Sequence, residues 1–308
     1  MACTALIALL TAFCLDRWFG EPPARWHPVV WMGKYLGWAG CRIAPMAGDT
    51  APAAGPTFVK GAMTWLLGAA AVVAIAIASH WGLMHLPQFT AALLLGVALK
   101  PLLAWRMLRE ETAGVEQALA QSLQAGRERL SRLVSRDVAG LDEAAVRESA
   151  IESLAENLND SVVAPVFWFV LLGLPGAALY RFANTADAMW GYRGERGGRV
   201  WEWAGKFAAR ADDAMSWIPA RITALLLATA NLGLSGATLR SEARRTTSPN
   251  SGWPMAAMAL ALDVRLGKPG VYTLNAAARA PLDADGRRAQ ALASHAVLLS
   301  IVVASLAI

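Results

Sequence analysis

One uncharged stretch constrains this chain more than any other feature. Residues 61–79, from Gly61 to Ser79, contain no charged residue. A helix needs about 20 predominantly apolar residues to cross the hydrocarbon core of a bilayer. The composition agrees, because 56% of residues are hydrophobic and only 17% are charged, whereas soluble domains are about one quarter charged. These values exclude a disordered chain and a nucleic-acid-binding arm, and they disfavour a purely soluble enzyme.

Further apolar segments predict several membrane crossings. The next clear spans are Phe89–Trp105, interrupted by Lys100-Pro101, and Gln290–Ile308. Three other segments are apolar but short, broken or charged: Ala2–Leu15, Val162–Phe182 with its break at Gly173–Gly176, and Ile218–Leu234 with Arg221. No segment shows the alternation of a half-buried strand. We therefore predict an all-α, polytopic integral membrane protein that forms one membrane-embedded domain over residues 1–308.

Basic residues between these segments predict the orientation. Residues 81–88 contain no Lys or Arg, whereas residues 17–60, 106–147, 193–210 and 240–288 contain five, seven, five and eight. The positive-inside rule places the basic loops in the cytoplasm. Single crossings by 162–182 and 218–234 would put the basic loop 193–210 outside, so we expect a re-entrant hairpin or two buried half-helices at Gly173–Gly176.

Soluble-looking helices are predicted between the spans. Apolar residues recur every three to four positions over residues 115–133, which indicates an amphipathic helix. Asp142 can N-cap a following helix that runs to about Asn159. We expect both helices to lie in the cytoplasm.

An acidic ladder is the first candidate for chemistry. Its members, each four residues from the next, are Glu148, Glu152, Glu156 and Asp160. Like charges four apart on a helix repel each other, so water, an arginine or a divalent cation must offset them. A solvated acidic face is the alternative. Because the ladder runs into the apolar stretch at Val162, its last two carboxylates are the better candidates for a site.

Two further polar groups follow apolar stretches. The first contains Asn184, Asp187 and Tyr192, and it is either a site or an ordinary polar linker. The second contains Arg210, Asp212, Asp213 and Arg221. Neighbouring carboxylates point to different helix faces, so one of them can ligate an ion while the other caps a helix or pairs with Arg210. Juxtamembrane ion pairing is the alternative for the arginines, and it explains Arg221 least well, because that residue lies inside an apolar run.

A rigid turn forms the last group. Its prolines and glycine surround hydroxyl and amide groups at Ser248 and Asn250, and Arg244 and Arg245 precede it. The arginines suit an anion, whereas Asn250 can alternatively cap a helix that starts near Pro254. The chain contains no phosphate-binding G-x-x-x-x-G-K-[ST] or G-x-G-x-x-G motif, so a nucleotide would need a different kind of site.

In their order and spacing, these motifs resemble the cobalamin-biosynthesis membrane protein family of adenosylcobinamide-phosphate synthases. The matching residues are Leu15-Asp16-Arg17, Gly20-Glu21-Pro22, His27-Pro28-Val29, Met32-Gly33, Arg136-Asp137, Glu152-Ser153, Glu156-Asn157, Asp160, Ala164-Pro165, Asn184-Thr185, Asp187, Met189, Gly191-Tyr192, Ala209-Arg210, Asp212-Asp213, Trp217–Arg221 and Ser248-Pro249-Asn250. The chain departs from the family at Glu21, where an aspartate is usual, and at Trp190, which replaces a smaller residue.

The resemblance implies an enzyme. Members of the family join a side-chain carboxylate of adenosylcobyric acid to (R)-1-amino-2-propanol or its O-phosphate. Because forming an amide from a free carboxylate is uphill in water, we expect ATP and Mg²⁺ to take part. The expected partners are these substrates, membrane lipid and other membrane-bound enzymes of cobalamin assembly, but no nucleic acid. The expected location is the cell membrane, with the catalytic loops in the cytoplasm. The alternative is a non-enzymatic transporter or signalling protein of the same fold.

The resemblance also suggests a role for each candidate residue. Mg²⁺ would be held by Glu156, Asp160 and one of Asp212 or Asp213. Asn184, Asp187 and Tyr192 would orient the amine or the corrinoid carboxylate, and Asp187 could take a proton from the ammonium. Arg210 and Arg221 would neutralise phosphate charge. The nucleotide pocket would be shaped by Ser248, Asn250, Arg244 and Arg245. We expect these groups to converge on a single polar pocket beside the lipid.

Overall fold

Helices dominate the fold. The computed structural model describes residues 2–48, 53–229 and 234–308. The helices are α1 (Ala2–Phe19), α2 (Pro28–Ile43), α3 (Ala54–Leu83), α4 (Gln88–Leu99), α5 (Trp105–Leu119), α6 (Leu123–Leu130), α7 (Glu143–Leu158), α8 (Ala164–Trp190), α9 (Lys206–Ala228), α10 (Gly236–Ala243), α11 (Gly252–Leu262) and α12 (Asp283–Ala307). The strands are β1 (Glu195–Arg196), β2 (Arg199–Val200), β3 (Leu266–Lys268) and β4 (Tyr272–Leu274).

The predicted all-α membrane fold is confirmed. Within the described residues, five helical segments are long and apolar enough to cross a membrane: Ala2–Phe19, Ala54–Leu83, Gln88–Leu119, Glu143–Trp190 and Asp283–Ala307. The first segment looked short in the sequence, but its helix continues to Phe19. Helix α9 is not among the five, and residues 230–233 of the predicted 218–234 segment lie outside the described residues.

The chain forms two compact units, each assembled from separate segments. Unit 1 contains residues up to Leu103, Pro165–Met215 and the last two residues. Unit 2 contains Ala104–Ala164 and Ser216–Leu306. Because the boundaries fall inside α8 and α9, each of these long helices contributes residues to both units. The proposal of one membrane-embedded domain stays a prediction.

Small residues allow α1 and α4 to pack closely in unit 1. A Cβ atom on Gly96 would lie 2.6 Å from the Cβ of Thr11 and 2.7 Å from the carbonyl oxygen of Ala8. Ala12 and Leu99 are fully buried nearby in the same two helices. Glycine and alanine at helix contacts are typical of membrane proteins, where close backbone approach and dispersion hold helices together.

An ion cluster explains the lysine that interrupts the second apolar segment. Lys100 is only 5% exposed, and its Nζ lies 3.3 Å from Asp16 Oδ1 and 2.9 Å from Glu21 Oε1. His27 Nε2 lies 3.0 Å from the other oxygen of Glu21. Burial alone would raise the pKa of Glu21, but its hydrogen bonds with His27 and Lys100 hold that pKa below its ordinary value. The buried lysine is therefore balanced by carboxylates from the end of α1 and the following loop.

The predicted break in the Val162–Phe182 segment is a kink. Gly173, inside α8, has φ 65° and ψ −156°, a conformation that glycine adopts without steric cost, and Pro175 follows it. The backbone carbonyl of Trp168 lies so close to Gly176 that no Cβ atom fits there. Helix α8 therefore consists of two helical pieces joined at Gly173. Whether they form a re-entrant hairpin stays a prediction.

Three local predictions have different outcomes. The helix after Asp142 is confirmed, because Asp142 Oδ1 accepts a hydrogen bond from Ala145 N at 2.8 Å where α7 begins. The single amphipathic helix over 115–133 is wrong: α5 ends at Leu119, and Ser122 N-caps α6 by accepting from Ala125 N. The sequence did not predict the two antiparallel hairpins, β1–β2 and β3–β4. Their strands of two or three residues are too short to show an alternation of apolar and polar side chains.

Replacing Gly96 with valine tests the contact between α1 and α4. The new side chain would collide with Thr11 and Ala8, and overpacking of this kind costs about 1–3 kcal/mol. We expect a lower free energy of unfolding in detergent, measured by denaturant titration. Gly82→Val is the matched control, because a Cβ atom there has no neighbour within 4 Å. Equal stability of the two variants would contradict the close packing.

Candidate functional site

Arginines balance the first half of the acidic ladder. Glu148 and Glu152 on α7 are 6% and 2% exposed. Glu148 Oε1 accepts from Arg265 Nη2 at 3.1 Å, and Glu152 Oε2 accepts from Arg136 Nη2 at 2.8 Å. The interpretation as a solvated acidic face is therefore wrong for these two residues. Water, an arginine or a divalent cation was expected to offset the repulsion between these carboxylates. In the structure, arginines offset it at Glu148 and Glu152.

Glu152 and Glu156 face a polar cavity of about 190 Å³ in unit 2. Arg136 and Lys268 bring positive charge to the same cavity. Its other lining residues are Leu133, Val134, Ser135, Ser149, Ser153, Asn157, Met255 and Tyr272. We call this space the mixed-charge cavity. Its walls hold two carboxylates and two cationic groups.

A β-hairpin supplies the part of the mixed-charge cavity that the sequence did not reveal. Lys268 and Tyr272 lie on β3 and β4, on either side of the turn at Pro269-Gly270. A Pro-Gly pair is a turn signal, and it could have identified this hairpin. Burial and the negative charge of Glu152 raise the pKa of Tyr272. Its phenol therefore stays protonated at neutral pH and keeps a hydrogen to donate.

The ladder ends in an irregular helical turn. Asn159–Val163 is a π-helical turn, a feature that is frequent at functional sites. Asp160 Oδ1 accepts from Asn159 Nδ2 at 2.8 Å, and the hydroxyl of Thr223 on α9 lies 3.1 Å from Asn159 Oδ1. Asn159 thus links Asp160 to α9 within unit 2.

In unit 1, two predicted groups that are far apart in the chain come together. Asn184 Nδ2 on α8 donates to Asp212 Oδ1 on α9 at 3.4 Å. Burial raises the pKa of the neighbouring Asp213, an effect that the positive charge of Arg193 partly offsets. The two carboxylates at 212 and 213 thus have different surroundings.

Asp187 is held tightly at the end of α8. Its carboxylate packs directly against Gly191, where no Cβ atom would fit, and its backbone carbonyl accepts from Gly191 N at 2.7 Å. A larger residue at 191 would have to displace the Asp187 side chain. The absence of a side chain at Gly191 therefore makes room for this predicted catalytic carboxylate.

The remaining candidates of unit 1 lie in more open surroundings. The hydroxyl of Tyr192 donates to Ala188 O at 2.7 Å, and the guanidinium of Arg196 lies 3.8 Å above its ring. Arg210 is exposed on α9. The structure gives Tyr192 a local partner, and the predicted roles of both residues in orienting substrate or neutralising phosphate stay predictions.

Arg221 ties α9 to the rigid turn in unit 2. Its Nη1 lies 2.8 Å from Asn250 Oδ1 and 2.7 Å from Trp217 O, and its Nη2 donates to Pro249 O at 3.1 Å. The guanidinium also lies 4.4 and 4.8 Å from the ring centroids of Trp217 and Trp253. The predicted cap at Asn250 is therefore wrong: α11 begins after Ser251, and the Asn250 amide binds Arg221 instead.

A larger cavity of about 740 Å³ opens beside this turn. Its polar groups are Arg221, Arg240, Arg244, Thr246, Thr247 and Ser248, and Trp217 and Trp253 form part of its apolar wall. We call this space the arginine cavity. Ser248 Oγ accepts from the backbone N–H groups of Asn250 and Ser251, both at 3.2 Å, which fixes the turn. Arg245 is instead paired with Glu242 at 3.0 Å.

The acidic groups fit magnesium only in part. Within the described ranges, no three Asp, Glu, His or Cys side chains gather closely enough to hold a metal ion. Mg²⁺ usually binds one or two protein carboxylates and completes its shell with water and substrate phosphates. Asp160 and Asp212 each offer a carboxylate with a neighbouring amide, so they fit an ion that arrives with a phosphate ligand.

Comparison with known proteins identifies the family. Residues 9–300 match the family model described as CobD/Cbib protein. The chain belongs to this family. It is 40% identical over 277 residues to "Probable cobalamin biosynthesis protein CobD" of Methanothermobacter thermautotrophicus, covering 86% of this chain and 85% of the relative.

Bacterial relatives give the same result. The chain is 42% identical to "Cobalamin biosynthesis protein CobD" of Chromobacterium violaceum, over 85% of this chain and 81% of the relative. It is 37% identical to the protein of the same name from Brucella suis biovar 1, over 92% and 88%. No solved structure gives a significant match. The CobD/Cbib assignment thus rests on sequence along nearly the whole chain.

Replacing Arg221 with lysine tests its role as a link between α9 and the turn. A lysine keeps the charge but cannot serve three acceptors with the fork geometry of a guanidinium. Hydrogen bonds to charged groups contribute about 1.5–3 kcal/mol, so we expect the free energy of unfolding in detergent to fall by roughly that amount. Arg210→Lys, on the exposed face of the same helix, is expected to change it by less than about 0.5 kcal/mol. Equal effects would contradict the link.

Proposed function

We propose that this protein is an ATP-dependent amide synthase of cobalamin biosynthesis. Membership of the CobD/Cbib family supports the role in cobalamin biosynthesis. The proposed reaction joins a propionate side chain of adenosylcobyric acid to (R)-1-amino-2-propanol or its O-phosphate. The product is adenosylcobinamide or its phosphate.

The arginine cavity carries the ATP part of this proposal. It offers Arg240 and Arg244 at a turn of hydroxyl groups, a combination that suits the oxygens of a polyphosphate. Its volume of about 740 Å³ falls in the range of small-molecule sites, about 300–1,000 Å³. Because ATP is cytosolic, we propose that this cavity opens toward the cytoplasm, as the distribution of basic residues also predicts.

The chemistry follows from the need to activate a carboxylate. An oxygen of the corrinoid carboxylate attacks the terminal phosphorus of ATP, ADP leaves, and an acyl phosphate forms. The amine then attacks the acyl carbon, and inorganic phosphate leaves as the C–N bond forms. Mg²⁺, when bound, supplies positive charge that neutralises the phosphate oxygens. The arginines of the cavity bind the polyphosphate and stabilise the charge that develops on it.

The carboxylates of the chain take the remaining roles in this proposal. The attacking amine must first lose a proton from its ammonium form, and the carboxylate of Asp187, which packs against Gly191, is the proposed acceptor. Asp212 with Asn184 in unit 1 is a proposed oxygen ligand of a magnesium ion, and so, considered by itself, is Asp160 with Asn159 in unit 2. Glu156, Asp213 and Arg210 remain candidates on the grounds given by the family resemblance.

Substitution of the two proposed metal ligands tests the reaction. We expect Asp160→Asn and Asp212→Asn, purified in detergent, to lose at least tenfold in amide formation or to need more Mg²⁺, since each loses an anionic ligand. Product formation is followed by mass spectrometry over a Mg²⁺ titration. Asp283→Asn, which removes an exposed surface carboxylate, is the control. Wild-type turnover with an unshifted Mg²⁺ optimum in both variants would remove the metal assignment.

Absence of corrinoid-dependent ATP consumption by the wild type would remove the enzyme assignment in favour of a carrier.

A glycine substitution tests Asp187 without changing it. In Gly191→Ala the new methyl group displaces the Asp187 carboxylate, so we expect at least tenfold slower amide formation with little change in the KM for ATP. Gly236→Ala is the matched control, because a Cβ atom there meets no neighbour within 4 Å. Unchanged turnover in Gly191→Ala would show that the exact position of this carboxylate does not matter for the reaction.

A further inference from the structure

Arg136 and Glu152 form a buried ion pair in the wall of the mixed-charge cavity, since Arg136 Nη2 donates to Glu152 Oε2 at 2.8 Å. Glu152 also forms a hydrogen bond with the hydroxyl of Tyr272. The second terminal nitrogen of Arg136, Nη1, is buried and has no hydrogen-bond partner among the described residues. A buried polar group without a partner costs free energy, more so when it is charged. The ion pair therefore leaves a positive N–H group of Arg136 without a partner, beside a space that further charged side chains line.

The charges of the lining define which kind of molecule would suit the cavity. Glu152 and Glu156 contribute two negative charges, and Arg136 and Lys268 contribute two positive charges. A simple anion would satisfy the cationic side and face two carboxylates. A simple cation would bind the carboxylates but would face the positive charges of Arg136 and Lys268. A molecule with an ammonium at one end and an oxyanion at the other satisfies both sides.

The volume limits the size of this molecule. Sites for drug-sized ligands occupy about 300–1,000 Å³, and the mixed-charge cavity has about 190 Å³. A nucleotide or a corrin is too large for it. A chain of two or three carbons that carries an amine and a phosphate or carboxylate is of the right size.

We infer that the mixed-charge cavity of unit 2 binds a small zwitterion, an amino-alcohol phosphate, with its ammonium toward Glu152 and Glu156 and its oxyanion toward Arg136 and Lys268. The choice of a phosphate over a carboxylate rests on the proposed function, in which such a molecule is the amine substrate. This inference assigns the binding of the ammonium to α7.

The experiment measures binding apart from catalysis. The full-length protein in detergent is titrated by calorimetry, without ATP or corrinoid, with (R)-1-amino-2-propanol O-phosphate, with 1-amino-2-propanol and with inorganic phosphate. We expect the zwitterion to bind at least tenfold more tightly than either half. Equal binding of phosphate alone would show a plain anion site and overturn the inference, as would no binding of the zwitterion.

Variants locate the site. Lys268 is exposed and Glu156 is half-buried, so Lys268→Gln and Glu156→Gln should fold. Each is expected to raise the Kd of the zwitterion at least tenfold and to raise the KM for the amine without changing the KM for ATP. The matched controls are Lys34→Gln, exposed on α2, and Glu143→Gln, exposed at the start of α7, which should change neither constant.

The outcomes separate this inference from the proposed function. If the wild type makes the amide while Lys268→Gln and Glu156→Gln leave the Kd and the KM for the amine unchanged, the inference is wrong and the function stands. If the zwitterion binds as expected but no amide forms with ATP and corrinoid, the cavity assignment stands and the synthase proposal is wrong.

Discussion

Charge pairing inside an apolar protein is the constraint on which the rest of this structure depends. A carboxylate or ammonium loses several kcal/mol of hydration when it is buried, and only a close opposite charge with good geometry offsets that cost. The chain meets this requirement repeatedly: Lys100 with Asp16 and Glu21, Arg265 with Glu148, and Arg136 with Glu152. Each contact joins residues that are distant in sequence, so the pairs also determine which segments lie together. Within each unit, the positions of the helices therefore follow partly from the need to pair these charges.

Two of these groups of buried charges differ in their surroundings. Around Lys100, the cation faces two carboxylates, one of which also contacts His27. Around Glu152, the ion pair with Arg136 lies in the wall of a cavity that Glu156 and Lys268 also line. A buried pair needed only for stability can often be replaced with apolar residues at no loss of stability. The open space and the further charges beside the Arg136–Glu152 pair are what make it a candidate binding site.

The sequence predicted the elements whose signals are local and long. Uncharged stretches indicated the membrane helices, and Asp142 marked the start of α7 through a cap that depends on three residues only. Ser122 was missed as a helix start because the apolar spacing continues across it, although its hydroxyl caps α6.

The acidic ladder on α7 was visible in the sequence, but its partners were not. Arg136 and Arg265 lie 16 and 117 residues along the chain from the carboxylates that they bind. Asn184 meets Asp212 in unit 1 and Arg221 meets Asn250 in unit 2, whereas the expected convergence on a single polar pocket stays a prediction. One sequence cannot give such pairings, since they depend on tertiary packing.

The two polar cavities of unit 2 differ in the charge they present, and this difference matches the two kinds of charged substrate that an amide synthase must handle. The arginine cavity has Arg221, Arg240 and Arg244 and no carboxylate in its lining, so it favours a polyanion. The mixed-charge cavity balances two carboxylates against two cations and is about a quarter as large, so it disfavours a polyanion and favours a small zwitterion. In the proposed reaction, phosphate would compete with the amine for a site of positive charge, and the carboxylates of the mixed-charge cavity would disfavour phosphate alone, because it would face Glu152 and Glu156. Selectivity between the substrates can thus arise from the placement of Glu152, Glu156, Arg136 and Lys268, without a contribution from contacts with the corrinoid.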